Sequence, residues 1–439
     1  MIVEHYSVDQ GLPNNTVNCT LKDRDGFIWF GTWYGLCCFD GVKFKTFNKQ
    51  EHDSDVPPRK IQRIVEDKNG YIWVKTIDRK LYVFNKVTEC FHAVYDDMKN
   101  YSENIQVIKL QNTAEGDVLL LTKDKNLLLA GVDEKGQVTI KILFDSRDEI
   151  NKHDYTLKHH VLCETEEYIS WIGTDYKVAA VHKGSELASR PADFITSKIN
   201  SGDKDSFTSF FEDGRKVWVG DRAGIFYSID VRTGLVNRYV LSEIKGAISN
   251  LLVTPAGYVY LSVAGQGTYE YDLAERRLQK INTEMNDAMV THAFIDQYDK
   301  IWFHENEKAL IYYDPLNHTA KRFPFTMFGK ITTLYSEDAG ERGLFFLSPA
   351  GEAWLFDREH AEMVYINKLK QLSNDRANQQ FYHLMLDNDG VLWLSSADEG
   401  VYCMNFPKKQ FNLLSLSPQS AGRENYATGV RAVSYTHLR

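Results

Sequence analysis

Short apolar runs recur along this chain, each entered through a polar turn and left through another. The clearest read Asp25-Gly26-Phe27-Ile28-Trp29, Asn69-Gly70-Tyr71-Ile72-Trp73 and Asp389-Gly390-Val391-Leu392-Trp393. Between them lie Val118-Leu119, Ser170-Trp171, Val217-Trp218, Val259-Tyr260, Ile301-Trp302 and Leu344-Phe345, giving nine copies at intervals of 42 to 52 residues. A period of this size in strand-like sequence predicts one small sheet per repeat, stacked on its neighbours.

The first repeat predicts four strands. Thr16 to Lys22 alternates and suits an inner strand, a; Asp23-Arg24-Asp25-Gly26 is a turn with glycine in the left-handed position. Phe27 to Thr32 is apolar almost throughout, as expected of a strand b covered on both faces. Leu36 to Asp40 follows as strand c, and Lys43 to Phe47 as the outer strand d. The cycle returns at Ile61 to Glu66, Phe207 to Glu212 and Tyr382 to Asp387. The fold class predicted is therefore all-β: a β-propeller of four-stranded antiparallel blades. Helical solenoids would need apolar residues every three or four positions over long runs, and these are absent.

Counting repeats places a seven-bladed ring over residues 1–325, with Glu4 to Val8 as a detached outer strand closing it, and the first blades of a second, truncated ring over 326–433. Such a truncated ring would leave blade faces exposed and lower solubility. Gly429 to Val433 reads as the first strand of a tenth repeat. Residues 434–439 break the pattern, so the native protein is expected to continue.

Composition narrows the function classes. The chain has 439 residues, 43% of them hydrophobic and 13% aromatic, and a formal charge of −9. With no basic run, a nucleic-acid partner is not expected. The start, Met1-Ile2-Val3-Glu4-His5, has no signal-peptide pattern, and no stretch is long enough to span a bilayer. The six cysteines match no zinc or redox spacing, and Cys37 and Cys38, consecutive in a strand, point to opposite faces. No metal or cofactor is expected.

The run Gly11-Leu12-Pro13-Asn14-Asn15-Thr16-Val17, with Asp25-Gly26-Phe27-Ile28-Trp29-Phe30-Gly31-Thr32, Gly35-Leu36 and Phe39-Asp40-Gly41, closely resembles the two-component regulator propeller repeat. The resemblance spans roughly residues 3 to 433 and is strongest in the first, second and ninth repeats. It implies the periplasmic sensor region of a Bacteroidetes hybrid two-component histidine kinase. Such a region would bind oligosaccharides, work as a homodimer in the full-length protein, and touch the membrane only through later segments. A kinase core is not among these residues, so the chain itself is not expected to be an enzyme.

In a propeller the b–c and d–a loops share one face. The b–c loops offer Trp33 and Tyr34, Asp78 and Arg79, Asp175 and Tyr176, Asp221 and Arg222, and Glu305 and Asn306. Sugars suit this mixture, because aromatic faces cover pyranose C–H groups while carboxylates, amides and guanidinium groups meet the hydroxyls. Asp23, Asp25, Asp387 and Asp389 have the alternation of calcium loops but lack the distal bidentate glutamate, which favours plain turns. His159-His160-Val161-Leu162-Cys163 lacks a second ligand pair, and no hydrolase motif is present. Two readings compete with the sensor: a protein-binding scaffold, and a propeller glycosidase using Asp175, Asp221 or Glu305.

Overall fold

The computed structural model describes residues 2–47, 58–99, 101, 106–146, 157–173, 178–184, 207–281, 290–305, 308–325, 335–338, 343–347, 353–365, 381–387 and 389–405. They form nine antiparallel sheets, eight with four strands; the fourth shows three described strands, Leu157–Glu164, Tyr168–Gly173 and Val178–His182. In sheet one the strands are Val17–Lys22, Ile28–Thr32, Gly35–Phe39 and Phe44–Phe47, each paired with the next. Strand b is buried along its whole length, which is why its sequence does not alternate.

The sheets pack in chain order through their covered faces. Trp29 and Leu36 of sheet one meet Ile61 and Phe84 of sheet two. Trp73 of sheet two meets Val118 and Leu128 of sheet three. The series continues through Phe144 with Trp171, Ala180 with Val217, Trp218 with Ile248, Tyr260 with Ile301, Trp302 with Phe346, and Phe345 with Tyr402. Trp393 and Val401 of sheet nine then pack on Phe30 and Phe39 of sheet one.

Closure differs from the expected arrangement. The first strand, Ile2–Tyr6, does serve as a detached outer strand, but it pairs with Val401–Asn405 of sheet nine. Sheet seven already has its own outer strand, Thr319–Pro324, so no edge is left there to take it. Sheets eight and nine thus join the same circuit of packing rather than opening a second ring at residue 326. The exposed blade face expected of a truncated ring is covered, for sheet nine, by sheet one. Gly429 to Val433 and the 434–439 tail lie outside the described residues.

Seven inner strands skip one residue of register near their start, at Val17/Cys19, Ile61/Arg63, Val107/Lys109, Phe207/Ser209, Ile248/Asn250, Val290/His292 and Phe381/His383. A bulge twists the strand and frees one side chain from the ladder. Two freed residues cross to the next sheet: Asn18 Nδ2 donates to Ile61 O at 2.6 Å, and Thr208 Oγ1 to Ile248 O at 2.7 Å.

Candidate functional site

The a–b turns explain the Asp-rich motif. In sheet one, Asp23 Oδ1 accepts the backbone N–H of Asp25 and Phe27 at 3.0 and 2.9 Å, while Oδ2 accepts Trp29 Nε1–H at 2.7 Å. The same indole-to-carboxylate bond joins Trp73 to Asp67, Trp218 to Asp213, Trp302 to Asp296 and Trp393 to Asp387, at 2.7 to 3.2 Å. These aspartates lock turns and satisfy buried indoles.

Asp23, Asp25 and Glu66 do converge closely enough to suggest a cation. The chain supplies that charge itself: Lys86 Nζ lies 3.1, 2.6 and 2.8 Å from the three carboxylates. Burial alone would lower the Lys86 pKa, yet hydrogen bonds to Asp25, Glu66 and Asp23 outweigh it, and the ammonium is held charged. The device recurs just after strand c elsewhere. Lys183 reaches Glu115 at 2.8 Å, and Arg358 reaches Asp296 at 2.6 Å, each on the preceding sheet.

On the other face, the b–c turns of sheets one, two, three, five and nine follow a strand-b residue whose side chain caps them: Thr32, Thr76, Thr122, Asp221 and Ser396. Thr32 Oγ1 accepts N–H bonds from Tyr34 and Gly35, both at 3.1 Å, and donates to Gly35 O at 2.8 Å. This holds Trp33 and Tyr34 outward, 41% and 64% exposed. Lys60, at the start of sheet two, connects adjoining turns: its N–H donates to Trp33 O and its carbonyl accepts from Ile77 N, both at 2.9 Å. Lys60 Nζ also lies 5.2 Å from the Trp33 ring centroid, a cation–π contact. Ile77 is 45% exposed. Beside it, Asp78 accepts the Thr76 hydroxyl and faces Lys80 Nζ at 3.5 Å. Arg79 takes a left-handed backbone (φ 68°) with its side chain exposed. Trp33, Tyr34, Asp78 and Arg79 are therefore brought together on neighbouring turns.

The other expected site residues separate from this group. Asp221 is fully buried in sheet five and holds the same capping position as Thr32, its Oδ1 accepting Ala223 and Ile225 N–H at 2.9 and 2.8 Å. Burial raises its pKa despite those bonds. Glu305, 4% exposed at the end of strand b in sheet seven, is paired with Arg322 at 3.0 Å and Lys308 at 3.7 Å. Glu305 is thus held in ion pairs within its own sheet, while Asp221 gives Oδ1 to its turn and keeps Oδ2 buried without a hydrogen bond; neither carboxylate is exposed on the face that carries Trp33 and Tyr34. Arg222 is exposed beside Asp221. Asp175, Tyr176 and Asn306 lie outside the described residues. Sequence reasoning missed Lys60 and Ile77. Ile77 follows Thr76 as Trp33 follows Thr32, so aligning the repeats on that threonine would have found it.

Residues 11–34 match the family described as Two component regulator propeller, so the first blade is a repeat of that kind. Over 84 residues the chain is 33% identical to Histidine kinase P4 of Formosa agariphila, a stretch amounting to 18% of this chain and 6% of that protein. Among solved structures it is similar to the extracellular domain of the hybrid two component system BT4673 from B. thetaiotaomicron, at 13% identity and a TM-score of 0.37. That match covers 91% of this chain and 66% of that domain. The corresponding domain of BT3049 from the same organism matches at 14% identity and a TM-score of 0.33, covering 94% and 61%. The Dos1 propeller matches at 11% identity and a TM-score of 0.48, covering 91% and 93%. The nine antiparallel sheets, packed in chain order, form a β-propeller fold, and its first repeat matches the two-component regulator propeller model. Among the described residues no helix is long and apolar enough to cross a membrane.

Proposed function

We propose that this chain is the ligand-sensing propeller of an extracytoplasmic sensor kinase, and that its b–c face binds oligosaccharide at Trp33, Tyr34, Lys60, Ile77, Asp78 and Arg79. The observation that carries the reading is the pair of exposed aromatics held on a capped, rigid turn with a lysine against the indole. An indole and a phenol offer stacking faces to pyranose rings, and Asp78 and Arg79 offer an acceptor and donors for hydroxyls. The region would lie in the periplasm as part of a homodimeric membrane protein. Ligand would favour one arrangement of the dimer, and that preference would bias a kinase located elsewhere in the protein.

Calorimetric titration of the folded chain with a panel of plant- and host-type oligosaccharides tests this. Heat with one sugar class, reduced at least tenfold in affinity by Trp33→Ala, supports the assignment. No heat across the panel from correctly folded protein overturns it. Exposed Ile77 beside Trp33 also suits a protein hot spot, so that negative result would favour the scaffold reading.

A further inference from the structure

The whole chain carries a formal charge of −9, yet the surface beside Trp33 is basic. Arg59 and Lys60 lead into sheet two, Arg63 lies on its inner strand, and Arg79 and Lys80 on its b–c turn. All five are exposed, and the one carboxylate described among them, Asp78, lies 3.5 Å from Lys80. Arg59, Lys60, Arg63 and Arg79 form no ion pair with another described residue. The preceding stretch, 48–57, brings Lys49 and three carboxylates by sequence, which leaves the balance positive. Exposed arginine and lysine are charged at neutral pH, so this excess is permanent.

Neighbouring groups register the field. Lys75, directly before the capped turn of sheet two, is 7% exposed, and its ammonium donates to Gln62 Oε1 and Ile108 O at 2.8 and 2.7 Å. Both acceptors are neutral. Burial first, and then the Arg79 charge, lowers the Lys75 pKa. At His383 of sheet nine, burial again comes first and the Arg63 charge second, in the same direction. On the far side of Trp33 the sign reverses, because the b–c turn of sheet nine carries Asp398 and Glu399. An anion near the indole would be drawn toward sheet two and repelled from sheet nine.

We propose that the ligand of the b–c face is an acidic oligosaccharide, with a sugar ring against Trp33 and Tyr34 and its carboxylate or sulfate held by Lys60 and Arg79. The inference rests on the reading of that face as an oligosaccharide site and adds the charge of the ligand to it. A guanidinium presents paired N–H donors that match the edge of a carboxylate or sulfate. Arg59 and Arg63 add to the attraction, so the acid is selected over a neutral sugar of the same shape.

Calorimetry on the folded chain with matched pairs tests this: trigalacturonate against its methyl ester, and a sulfated galactan tetrasaccharide against its desulfated form. In one pair the acid should bind at least about tenfold more tightly than its neutral counterpart, and that pair tells carboxylate from sulfate. The preference should shrink several-fold as salt rises from about 0.05 to 0.3 M. Arg79→Gln, at an exposed position, should weaken the acid about tenfold and the neutral form less than about twofold. Equal affinity of acid and neutral forms, both lost in Trp33→Ala, overturns this inference and leaves the oligosaccharide face standing. An acid preference that survives Arg79→Gln combined with Lys60→Gln overturns the placement of the anion. Absence of binding by every member of the set overturns both readings.

Discussion

One residue position divides the a–b turns into two kinds. Sheets one, two, five, seven and nine carry aspartate there, and each has a tryptophan whose indole it accepts. Sheets three, four and six carry Thr113, Thr165 and Thr254, whose hydroxyls still accept the turn N–H at 3.1 to 3.2 Å. Their partners at the indole position are Leu119, Ser170 and Tyr260, since register puts Ile169 and not Trp171 opposite the end of strand a. A carboxylate has one oxygen for the turn and one for an indole, whereas one hydroxyl serves the turn alone. Asp67→Thr should therefore cost about 2–3 kcal/mol, because a buried indole N–H loses its charged partner. Adding Trp73→Leu, which recreates the residues of sheet three, adds a cavity cost but removes that unmet donor. The double mutant should be more stable than the sum of the single changes by about 1–2 kcal/mol, measured in a denaturant double-mutant cycle. At a second position, His383 on the inner strand of sheet nine has a buried Nδ1 with no hydrogen-bond partner. Burial, with a smaller contribution from the Arg63 charge, lowers its pKa to about 4. The unfolded chain protonates near 6.5, so this stability is complete above that pH and is lost as pH falls toward about 4. Melting of the wild type should weaken over that window by at most about 3 kcal/mol, and His383→Gln should flatten the slope.

At the scale of the element, close approach between sheets depends on small residues in strand b. A Cβ on Gly220 would come within 2.4 Å of Ser209 Oγ and 2.8 Å of Ile248 Cγ2. Gly220→Ala should accordingly destabilise by about 1–3 kcal/mol through overpacking, read as a lowered denaturation midpoint with an unchanged slope. Much of this level was legible in the sequence. Ile61–Glu66 and Phe207–Glu212 begin and end where apolar pattern and turn residues place them, and elsewhere the ends differ by a residue or two. The bulges were not legible, because skipping one residue of pairing leaves the apolar pattern intact. Trp171 misled for a related reason. The turn before it is one residue shorter, which moves the tryptophan to the opposite face of its strand. The exposed aromatics of the candidate site were readable as residues out of place in a turn. Asp221 and Glu305 were not distinguishable from them, since a capping carboxylate and a ligand-binding one share composition and differ only in burial.

For the whole molecule, the strand Ile2–Tyr6 carries long-range order. It places Val3 against the core between sheets eight and nine and Tyr6 against the one between nine and one. Ring size was beyond sequence reasoning because any blade lacking an outer strand could have received this segment. Removing residues 1–6 should lower the melting temperature and expose the edge of Val401–Asn405, seen as concentration-dependent self-association in light scattering. The proposed binding face depends on the same rigidity: capped turns of sheets one and two, linked through Lys60, hold Trp33, Tyr34 and Ile77 outward. The most direct test is hydroxyl-radical footprinting of the folded chain, with and without an oligosaccharide found to bind by calorimetry. The account predicts protection concentrated at Trp33, Tyr34 and Ile77, lost in Trp33→Ala. Protection confined to other surfaces, with these three side chains oxidised at an unchanged rate, would contradict it.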